Sequence, residues 1–347
     1  MNKVFFRLSL LATCLALFVI VLGAYVRLSD AGLGCPDWPG CYGQLIAPSD
    51  SPSILEANTA FPERPFEAPK AWKEMIHRYF ASTLGLIIVI MAGIAIKQRK
   101  IAGQQVKLPI LLVGIVCLQG ALGMWTVTML LKPAIVTLHL LGGMLTLALL
   151  WWTFLSHQHK ANYLLEVSPL VRNWALLALI VTYCQIALGG WTSTNYVALH
   201  CYDLPTCQGQ WLPPTDFAEG FTLWREVGID YEGGRLSLEA GTAVHLTHRL
   251  GALITLLVTG GLALKLFSLG SALARKLGTL IAIALVIQVT LGLLNIILVL
   301  PIPIAVAHNG GAAVLLLSLV TVKRKLSVKN NIKTQTQHIE TRAAPAG

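Results

Sequence analysis

Four histidines lie near the start of apolar segments in this 347-residue chain, at His77, His139, His248 and His308. An ionisable side chain inside an apolar span is unfavourable to bury, so each is a functional hypothesis by default. One such histidine alone could equally be hydrated or bonded to a nearby carbonyl. Two pairs, separated by 62 and 60 residues, instead suggest that facing helices of four-helix bundles bind a haem iron from both sides.

The elements that must position these histidines are membrane helices. Apolar residues make up 55% of the chain and charged residues 12%, about half the charge of soluble domains. A helix crosses a bilayer with about 20 apolar residues. Eight such runs occur, at 5–26, 75–97, 108–130, 134–156, 173–194, 242–267, 277–299 and 303–322. The sequence therefore predicts an all-α integral membrane protein with eight transmembrane helices.

The placement of the net charge of +10 indicates how the chain is oriented. Basic residues are concentrated in the even-numbered connections and after the last span, whereas most acids lie in the long segments 27–73 and 195–241. Because lysine and arginine favour the cytoplasmic side, both termini are predicted to be cytoplasmic, in the cell inner membrane, with the two long loops facing outward. The basic excess is thus a topology signal, and no nucleic-acid partner is expected.

The second half of the chain repeats the first. The segment Cys35–Cys41 matches Cys201–Cys207 at an offset of 166 residues, and His77-Arg78 matches His248-Arg249 at an offset of 171. Each half has four spans and so starts in the same orientation, which indicates a parallel tandem duplication. We expect two four-helix bundles, at 1–160 and 161–325, followed by a disordered cytoplasmic tail at 326–347.

Four of the seven cysteines, Cys35, Cys41, Cys201 and Cys207, lie in the outward loops. An oxidising compartment permits disulfides there, and the equal spacing within each group favours two of them. Free thiols and a four-thiolate zinc site are the alternatives.

The two halves differ beside their first histidine. Glu74 precedes His77 by three residues, and His245 stands at the same place before His248. A carboxylate there can take a proton or stabilise positive charge on a macrocycle; alternatively, it satisfies backbone amides at the helix start. We therefore assign the first histidine pair to a reacting haem and the second pair to a permanent one. Zinc shared by His245 and His248 is the competing metal, but it would explain only one half.

Two further sets of residues are candidates for contact with a porphyrin. Arginine pairs with carboxylates, so Arg27, Arg78 and Arg249 are candidate partners of haem propionates, with snorkelling to the membrane surface as an equal alternative. Glycines at 142–143 and 310–311 would let a flat macrocycle approach the backbone, or would simply allow close helix packing. His157, after the fourth span, is interpreted as a solvated residue.

Several of these motifs together resemble the haem A synthase family. They are the exit of the first span from Gly23 to Ser29, the loop Gly34–Cys41, the run Glu74-x-x-His77-Arg78, and the paired later histidines. The resemblance covers nearly all eight spans and both halves. It implies oxidation of the methyl group at porphyrin position 8 of haem O to a formyl group by successive hydroxylations, which gives haem A for cytochrome oxidase.

The resemblance also implies roles for individual residues. His77 and His139 would bind the iron of the substrate haem O, with Glu74 as the catalytic acid residue, and electrons would leave through a structural haem b. The haem b ligands would be His248 and His308. The implied disulfides are Cys35–Cys41 and Cys201–Cys207, and the implied partner is haem O synthase, the farnesyltransferase that makes the substrate.

Two other functions are compatible with four histidines in a membrane protein. One is a di-haem electron-transfer cytochrome, for example linked to quinol, and the other is a non-enzymatic haem carrier or assembly factor. Both leave the difference between Glu74 and His245 unexplained. The sequence does not determine the electron acceptor, the oxygen source or whether the protein forms a homo-oligomer. Its apolar spans are expected to contact membrane lipid.

Overall fold

The computed structural model describes residues 3–100, 105–157 and 164–328. In chain order its helices and strands are α1 (Lys3–Leu28), α2 (Ser51–Ala60), α3 (Ala68–Lys97), α4 (Lys107–Thr128), α5 (Pro133–Ser156), β1 (Leu165–Val167), α6 (Pro169–Thr194), α7 (Phe217–Gly220), α8 (Leu238–Ser268), α9 (Ala272–Ile297), α10 (Ile302–Lys325) and β2 (Leu326–Val328). Within this described part, eight helices are long and apolar enough to cross a membrane. The all-α membrane fold is confirmed.

Two of the spanning helices begin well before their apolar runs. Helix α3 starts at Ala68 and has Pro69 in its first turn. Backbone N–H groups there have no partner within the helix, so a proline, which lacks the N–H, costs no hydrogen bond. Helix α8 starts at Leu238, and the Ser237 side chain caps it by accepting from the N–H of Ala240. Hydropathy could not predict these helix starts, because the first turns are polar. Consequently His77 is the tenth residue of its helix, about 14 Å along the axis from the helix start.

The eight spans pack as two groups of four. In the first group α1 contacts α3 and α5, and α4 contacts α3 and α5; in the second, α6 contacts α8 and α10, and α9 contacts α8 and α10. The groups meet where α5 packs on α10, α1 on α10 and α5 on α6. This matched order of contacts is what a duplicated chain predicts, and the duplication itself stays a prediction from the sequence.

The two groups share part of their core. One buried apolar cluster joins Met144 and Leu147 of α5 to Ile186 of α6 and Leu316 of α10. Trp151 of α5 also donates from its indole N–H to the hydroxyl of Thr321, at 2.8 Å. The bundles therefore form one packed body across the membrane.

The two long loops, at 29–67 and 195–237, also contact each other across the two halves. Arg64 forms ion pairs with Asp230 at 2.5 Å and with Glu232 at 3.4 Å. The N–H of Tyr231 donates to the carbonyl of Leu130, at 3.1 Å. The second loop thus lies against both the first loop and the turn between α4 and α5.

Two features of the structure differ from the sequence predictions. Residues 326–328, assigned above to the disordered tail, form β2, which pairs in parallel with β1; the tail from 329 onward lies outside the described residues. His157 is not solvated: it is 5% exposed, its Nδ1 lies 2.8 Å from the carbonyl oxygen of Thr153, and its ring packs against Phe5. The residue that follows α5 thus packs on α1, which a polar local sequence does not reveal.

Candidate functional site

The structure brings the histidines of each predicted pair together. His77 of α3 and His139 of α5 lie on two helices of the first bundle that both pack against α1 and α4, and His248 of α8 and His308 of α10 lie on two helices of the second that both pack against α6 and α9. His139 and His308 are each the seventh residue of their helix, so the two pairs lie at similar depth from the outer ends. All four side chains are half-buried.

The imidazole rings of the first bundle each lie against a glycine of a neighbouring helix. A Cβ atom built on Gly23 of α1 would lie 2.8 Å from Cε1 of His77, and one built on Gly123 of α4 would lie 3.4 Å from Cε1 of His139. Real Cβ atoms do not approach other atoms to 2.8 Å, so only glycine leaves the ring of His77 where it is.

The second bundle has the same arrangement. A Cβ atom on Gly189 of α6 would lie 3.1 Å from Cε1 of His248, and one on Gly292 of α9 would lie 3.0 Å from Cε1 of His308. Sequence reasoning assigned no role to any of these four glycines. The signal was available, because Gly23 and Gly189 are separated by the same 166 residues as the two cysteine segments.

The glycines that follow the later histidines lie against side chains of neighbouring helices. A Cβ atom on Gly142 would lie 2.0 Å from Nε2 of Gln119, and one on Gly311 would lie 2.4 Å from Oε1 of Gln288. Positions 143 and 310 face Ile20 and Val21 of α1. These contacts support the helix-packing interpretation, and the approach of a macrocycle to these glycines stays a prediction.

Glu74 holds the first disulfide loop against α3. Its side chain is buried, and Oε2 accepts from the backbone N–H of Cys35 at 2.9 Å. The other oxygen accepts from Arg78 at 2.6 Å. The carboxylate is therefore bound by a loop amide, not by free amides at the start of its own helix.

His245 does the same in the second half. It is 3% exposed, and its Nδ1 accepts from the backbone N–H of Cys201 at 3.1 Å. A role that the sequence left unassigned is thus visible: Glu74 and His245 each bind the first cysteine of the adjacent disulfide loop. Only the first half uses a carboxylate for this.

Both predicted disulfides are present, Cys35–Cys41 and Cys201–Cys207, with Cα atoms 4.8 and 4.5 Å apart. The structure therefore has neither the free loop thiols nor the four-thiolate zinc site that were the alternatives.

An aspartate organises each disulfide loop. Asp37 accepts from the N–H groups of Tyr42 at 2.6 Å and Gly43 at 2.8 Å. Asp203 accepts from those of Gln208 at 2.6 Å and Gly209 at 3.0 Å. The hydroxyl of Thr206 also donates to Asp203, and this bond, followed by those from the backbone, lowers the pKa of Asp203 below its usual value.

The three candidate arginines are bound by backbone carbonyls. Arg78 donates to the carbonyl oxygens of Gly40 and Asp37, and Arg249 donates to that of Thr206 at 2.8 Å and to that of Cys201. They hold the disulfide loops down on α3 and α8.

Arg27 instead joins the two halves. It donates to the carbonyl of Ser193 at 2.6 Å, and its guanidinium lies 3.8 Å from the ring centre of Tyr196. None of the three arginines snorkels freely, and contact with propionates stays a prediction for each.

The donor set fits an iron porphyrin better than zinc. Among the described residues, the Nδ1 atoms of His77, His139 and His308 are buried without a hydrogen-bond partner, and each ring lies against a glycine. A haem iron takes one or two axial ligands from the protein, and each pair can provide two. Zinc needs three or four, and no cluster of three or more histidine, cysteine or acidic side chains occurs in the described ranges.

Known proteins are similar to this sequence over nearly its whole length. A family model described as "Cytochrome oxidase assembly protein" (COX15-CtaA) matches residues 6–320. A protein of Shewanella oneidensis named "Heme A synthase" is 44% identical over 319 residues, which cover 91% of this chain and 94% of that protein. Proteins of the same name from Caulobacter vibrioides and Granulibacter bethesdensis are 27% and 25% identical and cover 86% and 94% of this chain, and 89% and 88% of their own.

Proposed function

This chain belongs to the COX15-CtaA family of cytochrome oxidase assembly proteins, and on that premise we propose that it is a haem A synthase. The enzyme would oxidise the methyl group at position 8 of haem O to a formyl group by successive hydroxylations, supplying haem A to cytochrome oxidase. The observation that carries the proposal is the combination of two histidine pairs with Glu74, the single buried carboxylate among the described residues, which lies beside only one pair.

The first bundle would hold the substrate. His77 and His139 would bind the iron of haem O, and the glycines facing them would fix the planes of the two rings. Glu74 would stand near the substrate as an anion stabilised by Arg78 and by the N–H of Cys35. A carboxylate held in this way can take the proton released as the methyl carbon is oxidised.

The second bundle would hold a resident haem b through His248 and His308. Such a group supplies one-electron transfer when bound. The equivalent residue in this bundle, His245, is not a carboxylate, and its Nδ1 already accepts a hydrogen bond from the backbone N–H of Cys201. This difference supports chemistry in the first bundle and electron transfer in the second.

The setting of the reaction follows from the same features. We place the protein in the cell inner membrane with both termini cytoplasmic, since the charge asymmetry between loops favours that orientation. Its apolar substrate would come from haem O synthase, the enzyme that makes it, through contact between the two membrane proteins. Propionates of the bound haems would meet Arg27, Arg78 or Arg249 once these guanidinium groups release the backbone carbonyls to which they now donate.

A purely electron-transferring cytochrome is favoured by one observation. Glu74 and His245 share the task of binding a loop amide, so the difference between the halves does not by itself require catalysis. The experiment must therefore separate loop positioning from chemistry at Glu74.

The test is haem extraction with mass analysis, on full-length protein purified from cells with and without a supply of haem O. We expect hydroxylated haem and haem A only when haem O is supplied. Haem O that stays unmodified in the purified wild-type protein would favour the electron-transfer alternative. A protein that binds no haem at all would overturn both.

A further inference from the structure

We propose that Gln185 is a positioning residue that fixes the His248 ring and so makes the second haem site a retaining site, whereas the first is built for exchange. The inference rests on the proposed function, in which His248 binds the iron of a resident haem. It concerns a residue that none of the sequence motifs singled out.

Gln185 reaches His248 from the neighbouring helix. It lies on α6, and its amide nitrogen is 2.9 Å from Nδ1 of His248 and 2.9 Å from the carbonyl oxygen of the same residue. Within the described part of the chain, the Nδ1 atoms of the three other pair members, His77, His139 and His308, are buried without such a partner. His248 is therefore the one ring of these four that a side chain contacts at Nδ1. The ring of its partner His308 is contacted at the other nitrogen, where Nε2 lies 3.4 Å from the amide nitrogen of Gln288.

The first half cannot make this contact, because both of the positions that create it are different. The glycines facing His77 and His248 put position 19 in register with position 185, and the residue there is Val19. Gly251 leaves the space for the amide, since a Cβ atom on it would lie 2.2 Å from Oε1 of Gln185.

The residue in register with Gly251, three after the histidine, is Phe80. Its ring packs against Phe18, with ring centres 4.9 Å apart. The second half thus combines glutamine with glycine where the first combines valine with phenylalanine. The two differences belong together in the second half, because a side chain at position 251 would clash with the Gln185 amide.

The chemistry of imidazole explains what the contact does. In the structure the amide nitrogen faces Nδ1, which suits a ring protonated on Nε2. When iron binds Nε2, the proton lies on Nδ1, and the amide must turn its oxygen toward this N–H to accept from it. The turn gives up the bond from the amide nitrogen to the His248 carbonyl. An acceptor on the second ring nitrogen makes the histidine a stronger iron ligand and keeps its plane fixed.

The functional consequence is a difference in how long each site keeps its haem. A substrate has to enter and leave the first bundle, where the Nδ1 atom of His77 has no hydrogen-bond partner among the described residues. An electron carrier has to stay in the second, and loss of a partner of this kind typically weakens metal binding about 10- to 100-fold.

The experiment uses full-length protein in nanodiscs with His77→Ala and His139→Ala, so that only the second site can bind haem. Gln185→Val, which introduces the residue of the first half, is compared with Gln185→Glu, which keeps the length and offers a stronger acceptor. Two quantities are measured: the rate of haem transfer to apomyoglobin, and the midpoint potential.

We expect Gln185→Val to release haem about 10-fold faster and to shift the potential in the positive direction, with Gln185→Glu shifting it in the negative direction. Gln119→Val is the matched control, because the Gln119 amide donates to the backbone carbonyl of a first-bundle histidine, His139, and not to its ring. It should change neither quantity.

The outcomes separate this inference from the proposed function. A His77→Ala, His139→Ala protein that binds no haem would refute the assignment of the second site itself. Bound haem with the same release rate and potential in all three Gln185 forms would refute the role of Gln185. If the valine variant does not fold, Gln185→Met, which keeps the length of the side chain but has no amide to accept from Nδ1, is measured instead; the same release rate and potential as in the wild-type protein would then refute the role of Gln185.

Discussion

Glu74 and His245 occupy equivalent places in the two halves, and each accepts the backbone N–H of the first cysteine of a disulfide loop, at 2.9 and 3.1 Å. A carboxylate and an imidazole thus perform the same structural task. What distinguishes the first half is the negative charge, which is additionally paired with Arg78 at 2.6 Å.

The variant Glu74→His separates the two roles of Glu74. It introduces the loop-binding group of the second half but removes the carboxylate, so the loop should stay in place while haem A formation falls on the order of 100-fold, the lower range for losing a general base. Haem content by mass analysis measures the chemistry, and resistance of the Cys35–Cys41 disulfide to a reductant measures the loop. A Glu74→His protein that makes haem A at the normal rate would show that the carboxylate has no chemical role.

The glycine against His77 gives a second prediction. Gly23→Ala places a methyl group 2.8 Å from Cε1 of His77, and overpacking of this kind typically costs about 1–3 kcal/mol. We expect the ring to turn and the first site to lose its haem while the second keeps its own, as measured by the haem-to-protein ratio. Gly93→Ala, on the helix that carries His77, is the control, because within the described residues its new methyl group would have no atom within 4 Å.

A third prediction concerns the contact between the outer loops. Arg64 is 23% exposed in its side chain, and Asp230 is 38% exposed, so the pair is partly screened by water. A double-mutant cycle with Arg64→Ala and Asp230→Ala should give a coupling of about 0.5–1 kcal/mol in the free energy of unfolding. Values that simply add would mean that the two loops do not depend on this ion pair.

The pKa of Asp203 gives a prediction about pH. Because the folded pKa lies below the usual value of 3.8, the anion stabilises the second loop above that pH, and the contribution is lost as pH falls through the folded pKa. The rate of reduction of Cys201–Cys207 by a phosphine should therefore rise only in strong acid. Thr206→Val removes the largest cause of the lowered pKa and should move the rise to higher pH; an unchanged profile would exclude Asp203 as the group responsible.

The membrane spans and the disulfide loops could be predicted from the sequence because their signals are local. A run of about 20 apolar residues is long enough to cross the bilayer as a helix whatever surrounds it, and cysteines six apart in an outward loop need no knowledge of other helices. The starts of α3 and α8 were missed because their first turns are polar and lie beyond the apolar runs.

The contacts around the histidines could not be predicted because they depend on which helix faces meet. Gly23 and Gly142 are both glycines near a histidine in sequence or space, yet only the first faces an imidazole, while the second faces Gln119. Gln185 is an ordinary polar residue in a span until α6 and α8 are packed and Gly251 is seen to make room for it. The duplicated sequence held a usable clue, since comparing register between halves isolates the positions that differ.

The ion pairs from Arg64 to Asp230 and Glu232 have a mechanical consequence. They join the long loop of the first bundle to the long loop of the second, so neither loop can move away from its bundle alone without breaking these ion pairs. A ligand whose entry displaced the first loop would therefore also loosen its contact with the second. Because the Arg64–Asp230 pair contributes only about 0.5–1 kcal/mol, this link between the loops can break and re-form readily.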